Sequence, residues 1–346
     1  MKLNVNKIAS STKNVNLPGI VEISGKVEAE EGNLIAVKAL GENPNYGDLE
    51  LCSGRMSKII EGDIIVGVLG ERRAQKGFYG KVPKGIKVGD VLNILSMGGV
   101  IGKALSAHPD LGNPISVEVL GSPLVFEAFN ERVGRPANIR KNAIPPRKNL
   151  DHSAPLVVFS ASCMDAGKTT AACELIKGLA SKGYRVAGVK LTGVSLMRDT
   201  LAMKDYGAAR TLDFNDAGMV STTSKPMSNY AKGLLTELNK DGVDCIVIEL
   251  GDGILGEYGV QSILKDKDIS RFVKAHIVCA NDPVAAWGAK KLFEEFGLGI
   301  AAICGRVTDT EVGIEFIEKK LNIPAANMLK APEKVVNIVE KKVFSK

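Results

Sequence analysis

From residue 155 to the C-terminus, apolar runs of strand length alternate with longer stretches of helical periodicity. The strand-like runs are 156–159, 185–190, 244–250, 276–280 and 299–304, with a short one near Asn327. Between them the spacing predicts helices over 169–182, 228–240, 285–296, 311–321 and 333–341. Leu175, Ile176 and Leu179 mark the buried face of the first. Such alternation predicts an α/β fold: a mostly parallel sheet with helices on both faces. In that architecture ligands gather at the C-terminal ends of the strands.

The first 130 residues have a different texture. Short alternating runs at 19–27, 34–40, 63–69 and 91–95 are punctuated by the Gly-Asp pairs Gly47-Asp48, Gly62-Asp63 and Gly89-Asp90. This predicts a small β-barrel or β-sandwich. Residues 71–79 hold Glu71, Arg72, Arg73, Lys76, Phe78 and Tyr79 in a glycine-bounded loop. It reads as a solvated hairpin tip, with contact to an anionic ligand or to the second domain as the other reading. The stretch 131–153 is rich in Pro, Arg, Lys and Asn without periodicity, and reads as a linker. The expected organisation is therefore a β-rich domain over 1–130, a linker over 131–153, and a nucleotide-binding domain over 154–346.

Composition narrows the class. The chain has 346 residues, room for two or three domains. No apolar run reaches the ~18 residues a membrane span needs, and the N-terminus lacks a secretory apolar core. The expected setting is cytoplasmic, with no membrane partner. Net charge is +6, but cations and acids are interspersed and aromatics are only 5%, so no basic, aromatic-laced nucleic-acid surface is expected. An anionic small-molecule substrate suits that charge. Cys173, Cys245, Cys279 and Cys304 sit in apolar patterns as core residues. His108, His152 and His276 are far apart, and no zinc spacing occurs.

The most specific motif follows the first strand of the alternating region. Ser162, Cys163, Met164, Asp165, Ala166, Gly167, Lys168, Thr169 and Thr170 lead from the strand into a helix. Strand, small-residue loop and Gly-Lys-Thr at a helix start form a phosphate-binding loop. Its backbone N–H groups and the helix N-terminus cradle an anion. Lys168 reaches β/γ phosphates and the Thr169 hydroxyl can bind Mg2+. Ser162 stands where the motif usually has its first glycine, and fits unstrained if its φ is negative. Cys163 is either a small loop residue or a thiol sensitised by the helix end.

Other strand ends supply the rest of a candidate site. The run 244–250 ends in Glu249, followed by Gly251, Asp252 and Gly253, a carboxylate pair fit for Mg2+ and for water or substrate. Lys190 ends the second run, placed to hold a substrate carboxylate or a phosphate oxygen. Arg198, Asp199 and Asp205 follow it, then the hydroxyl-rich segment 212–225, a weak candidate for a substrate loop or switch. Asn281 and Asp282 either cap the next helix or line the site. Gly305, Arg306, Val307 and Thr308 follow the fifth run, and no N-K-x-D motif for guanine occurs there.

On Gly167 to Thr170, Lys190, and Glu249 to Gly253, the second half resembles the P-loop branch of dethiobiotin synthetase, the cobyrinic acid a,c-diamide synthases and the nitrogenase-iron-protein-like ATPases. It departs from that branch at Ala161 or Ser162, at Leu250, and in lacking the second signature lysine, since Cys163 and Met164 occupy that stretch. From about residue 62 to 305 the chain also resembles a family that joins an N-terminal β domain to such a P-loop domain. Some members of that family are D-glutamate N-acetyltransferases. The resemblance implies an ATP- and Mg2+-dependent enzyme, a ligase or ATPase, activating a small carboxylate by phosphoryl transfer. Lys168, Lys190, Asp165 and Asp252 would then be catalytic, 162–170 would hold the nucleotide, and Thr169 and Glu249 the metal. Two other readings remain: an acyltransferase whose loop binds coenzyme A phosphates, and a nucleotide-switched assembly factor or metallochaperone. The resemblance is also compatible with a homodimer.

Overall fold

In a computed structural model, which describes residues 1–126 and 133–345, apolar alternation closes the N-terminal strands into a barrel. The strand Leu34–Ala39 pairs antiparallel with Ile64–Leu69 and with Ser116–Val125. Ile64–Leu69 runs parallel to Val100–Ala107. Val91–Ile94 pairs antiparallel with both Val100–Ala107 and Ser116–Val125, which completes the ring. Period two decides what each face buries. Ile35, Val37, Ile65, Leu69, Leu92, Ile94, Ile101, Val117 and Val119 fill one cluster. Their neighbours Leu34, Ala36, Val66, Val68 and Val100 form a second, with Val21, Ile23, Ala137, Ile139 and Val220. Residues 71–79 carry a hairpin, Arg72–Arg73 against Phe78–Lys81.

These strands belong to the first of two compact units, Met1–Ile144 with Val194–Arg198 and Phe214–Thr223. The second unit is Pro145–Gly193, Asp199–Asp213 and Ser224–Lys346. Residues 127–130, the end of the expected β-rich stretch, and 131–132, the start of the expected linker, lie outside the described residues. Further along that linker, Arg135–Pro136 pairs with Ser116–Val125. Ala137 and Ile139 are buried in the first unit. From Pro145 the segment holds to the second unit, where Arg147 N donates to Asn229 O (2.9 Å) and Leu150 is buried.

The second unit is an α/β P-loop fold. Its strands are β1 (Leu156–Ala161), β2 (Val186–Thr192), β3 (Arg210–Asp213), β4 (Cys245–Leu250), β5 (Val273–Cys279) and β6 (Ala302–Cys304). They form one parallel sheet in the order β3-β2-β4-β1-β5-β6. Its helices are α1 (Lys168–Ser181), α2 (Arg198–Asp205), α3 (Ser228–Asn239), α4 (Val260–Leu264), α5 (Lys267–Ser270), α6 (Pro283–Glu295), α7 (Glu311–Phe316) and α8 (Pro332–Phe344). Right-handed crossovers put α1, which leads from β1 toward β2, on one face, and the helices leading the other way on the opposite face. Leu175, Ile176 and Leu179 of α1 pack with Val335, Val336 and Val339 of α8 over Val157, Phe159, Val247 and Ile277. All of β1, β2 and β4 is buried, which is why they read as unbroken apolar runs.

The chain leaves β1 toward β2 and leaves β5 toward β6. The connections therefore diverge between the neighbours β1 and β5, the crevice where such sheets bind ligands. The polar β3 and the short α4 and α5 were not legible as elements. The helix expected over 311–321 is α7 continued by a π turn, Ile317–Leu321. The short strand expected near Asn327 is a single bridge from Ala325 to Ile303. Among the described residues no helix is long and apolar enough to cross a membrane.

His276 on β5 is 7% exposed, its Nδ1 has no hydrogen-bond partner among the described residues, and Phe293 of α6 meets its ring edge-on at 5.4 Å. Burial holds its pKa down at about 4, from an ordinary 6.5. The imidazole is thus neutral in the fold but takes a proton in the unfolded chain as pH drops below its ordinary value. Stability should be intact above that value and fall as pH drops toward 4, by up to about 1.4 kcal/mol per pH unit. Urea unfolding across this window measures the slope, and His276→Gln should flatten it.

Candidate functional site

The C-terminal end of β1 passes directly into the phosphate loop. Ser162 N donates to Cys279 O at the end of β5 (3.0 Å), which anchors the loop's first residue. Two residues then turn left-handed, Asp165 with φ 59° and Gly167 with φ 94°. Ser162 is not among the left-handed residues, so it replaces the motif's glycine without strain. Gly167 caps α1 without any side-chain hydrogen bond. Ala171 N closes the first helical turn onto Gly167 O (3.0 Å). The N–H groups of Lys168, Thr169 and Thr170 precede that bond and point out of the helix end toward the loop.

A glycine after β6 supports the loop from behind. Gly305 has φ 90°, and a Cβ there would lie 2.5 Å from Ala166 O and 2.9 Å from Ala280 N. Asn281 donates through Nδ2 to Cys163 Sγ (3.0 Å), while Asp282 caps α6 by accepting from Ala285 N (2.8 Å). The expected site residues separate accordingly. Ala166 and Lys168 are buried, Ser162, Cys163, Met164, Gly167 and Thr169 half-buried, and Asp165 and Thr170 exposed.

Lys168 Nζ donates to Cys163 O (3.1 Å), so the ammonium lies over the loop's mouth. Thr169 Oγ1 donates to Glu249 Oε1 (2.9 Å) at the end of β4. Glu249 is 2% exposed, and its other oxygen, Oε2, has no hydrogen-bond partner among the described residues. Burial pushes its pKa up, and the nearby Asp199 carboxylate adds to this. Lys190, Lys168 and the Thr169 hydroxyl pull the other way.

Strand register explains the company Glu249 keeps. Phe159 on β1 lies opposite Glu249 on β4, Glu249 opposite Lys190 on β2, and Lys190 opposite Asp213 on β3. In-register positions of a parallel sheet share one face, with strands ~4.8 Å apart. Across three strands this gives a carboxylate, an ammonium and a carboxylate in one row. Asp199 of α2 forms an ion pair with Lys190. Burial opposes the charge on Lys190, but Asp199, Glu249 and Asp213 outweigh it and raise its pKa. Asp252 is buried just beyond β4, where Thr192 donates to Gly251 O and Ile254 N donates to Ala161 O (2.8 Å). Asp213 was missed from the sequence because β3 was. A charged residue closing a short strand was its only signal.

The arrangement combines an uncapped helix end, a lysine held over a glycine-bounded loop, and a buried carboxylate tied to the first-turn threonine. It can hold a polyphosphate. Its oxygen donors also suit a hard divalent cation, which takes few protein ligands when phosphates supply the rest. Among the described residues no group of three or more His, Cys, Asp and Glu side chains is placed to hold a metal by itself.

No family model matches the chain, and no curated protein matches it. Solved structures similar to it include a DUF1611 family protein from Anabaena variabilis, 13% identical, covering 59% of this chain and 63% of that one, with a TM-score of 0.38. A second is the signal recognition particle 54 kDa protein from Aeropyrum pernix in complex with GDP, 16% identical, covering 51% and 42%, TM-score 0.35. A third is the hydrogenase maturation factor HypB from Archaeoglobus fulgidus, 13% identical, covering 54% and 89%, TM-score 0.37. The chain thus spans under two thirds of the first two. At these TM-scores the likenesses decide nothing about the site, whose reading rests on its own geometry.

Gly305→Ala tests how the loop is supported. A side chain there meets both a left-handed φ and the Ala166 carbonyl. The expected cost is about 1–3 kcal/mol, seen as a lower urea midpoint at unchanged slope.

Proposed function

We propose that the second unit binds a nucleoside triphosphate, ATP, together with Mg2+, and transfers its terminal phosphoryl group to a small anionic substrate. The supporting observation is the Thr169–Glu249 hydrogen bond at the mouth of the phosphate loop, with Glu249 Oε2 buried and left for a further partner. A purely structural carboxylate would be expected to have both oxygens satisfied. Thr169 and Glu249 would hold Mg2+, which when bound neutralises phosphate charge. Lys168 exchanges its bond to Cys163 O for phosphate oxygens and stabilises the transferring group. The loop N–H groups from Cys163 to Thr170 orient the phosphates.

A carboxylate substrate fits the charge logic. Its oxygen attacks the terminal phosphorus, a new O–P bond forms, and the bond to the leaving diphosphate breaks, giving an acyl phosphate and a nucleoside diphosphate. The exposed Asp165 and the buried Asp252 flank this chemistry from the loop and from the exit of β4. Lys190 serves as counter-charge to Asp199 and Glu249, which opposes the rise in the pKa of Glu249. It meets the substrate anion in competition with Asp199.

Calorimetric titration with ATP, GTP and acetyl-coenzyme A, each with and without Mg2+, tests the reading. ATP should bind in a Mg2+-dependent way. Glu249→Gln should remove most of that dependence, and Lys168→Ala should lower phosphoryl transfer by roughly 100-fold or more. Unchanged ATP binding and turnover in Lys168→Ala would sink the proposal. So would binding of acetyl-coenzyme A with no competition from ATP, because the cradle would then serve a coenzyme.

A further inference from the structure

Four cationic side chains are buried among the described residues: Arg72, Lys168, Lys190 and Lys232. Two have carboxylate partners. Lys190 pairs with Asp199, and Lys232 with Asp266 (2.9 Å) and Asp268 (3.1 Å). Lys168 and Arg72 have none at ion-pair distance, and each donates to a main-chain carbonyl instead, Cys163 O and Leu95 O. Lys168 is the phosphate-loop lysine. Arg72, in the first unit, shares its signature.

Arg72 is 7% exposed. Nη1 carries all its polar contacts, donating to Tyr46 Oη (3.0 Å) and to Leu95 O. The rings of Tyr46 and Phe78 lie beside the cation, with centroids 5.5 and 5.9 Å from Cζ. They meet each other edge-on at 5.2 Å. Among the described residues Nε is buried with no acceptor, and Nη2 forms no hydrogen bond. These two nitrogens form the side of the guanidinium that pairs bidentately with a carboxylate or phosphate. Gly77 packs beside the guanidinium: a Cβ there would lie 2.7 Å from Nη2. The hairpin also carries Arg73, Lys76 and Lys81, and Glu71 pairs with Arg73 (2.9 Å).

We propose that the Nε/Nη2 edge of Arg72 is a second anion site, in the β-barrel unit, that binds the oxyanion of a small molecule. Tyr46, Phe78 and the Leu95 carbonyl fix the guanidinium plane. The anion supplies a negative charge that no described side chain provides to Arg72 at ion-pair distance. Carboxylate and phosphate share the required geometry. The site stands independently of the phosphate loop and of the reaction assigned to it.

The test follows the arginine Nε–Hε resonances of the isotope-labelled full chain during titration with acetate, glutarate and inorganic phosphate, with sodium chloride at matched ionic strength as the control. The Arg72 resonance is identified by its loss in Arg72→Lys. If that variant does not fold, Tyr46→Phe identifies it by its displacement. A saturable shift of this resonance with at least one oxyanion, absent with chloride, is the expected result. A shift with glutarate or acetate assigns a carboxylate ligand, and one with phosphate alone a phosphate ester. A resonance unmoved by all three, or moved equally by chloride, overturns the proposal and leaves Arg72 a packing residue held by its rings.

Discussion

The register of β4 against its neighbours is the constraint on which the site depends. Because Glu249 lies level with Phe159 on one side and Lys190 on the other, its carboxylate emerges at the height of the first turn of α1. There Thr169 can donate to it. A slip of one residue would send Glu249 to the opposite face of the sheet and bring Leu250 to the loop. Branched apolar residues resist that slip. Ile246, Val247 and Ile248 are fully buried, so shifting β4 would misplace each of them at once. Core packing thus fixes the position of a carboxylate that contributes little to the core itself.

Burial of the charged row is an electrostatic balance more than a source of stability. Opposite charges ~4 Å apart attract by about 4 kcal/mol at an effective dielectric of ~20. Desolvation costs several kcal/mol per ion. Asp199, Lys190 and Glu249 together therefore come out near even, while removing any one leaves the others exposed to the full desolvation cost. Such an arrangement is retained for what it positions. Lys190 lies between two acids and draws the pKa of Glu249 downward. The raised pKa of Glu249 shows how close that balance is, since burial and Asp199 prevail over two lysines and a hydroxyl.

The parts of this fold that were legible in the sequence are those where one local signal dominates. Strands β1, β2 and β4 are largely apolar runs because both faces are covered, and the phosphate loop has fixed spacing between a strand and a helix. What escaped depends on tertiary pairing. β3 reads Arg-Thr-Leu-Asp and looks like a turn, yet it is held at the sheet edge by four register partners on β2. Lys190 looked like a free cation at a strand tip, and only the fold of α2 shows that Asp199 reaches it. Gly305 carries no motif at all, and its role appears once Ala166 is packed against it. The fate of residues 133–153, split between two units at Pro145, was likewise hidden, because burial of Ala137 and Ile139 leaves no periodic trace.

Arg72 shows the same logic from the opposite direction. Two aromatic rings beside a desolvated cation contribute about 2 kcal/mol or more each, and each of the two hydrogen bonds of Arg72 about 1.5–3. Against this stands a desolvation cost of several kcal/mol for a guanidinium, which cannot shed its proton to escape it. Lys190 and Lys232 meet that cost with carboxylates on neighbouring elements. Arg72 thus keeps its charge buried with no carboxylate at ion-pair distance among the described residues, and the binding of an oxyanion would balance it.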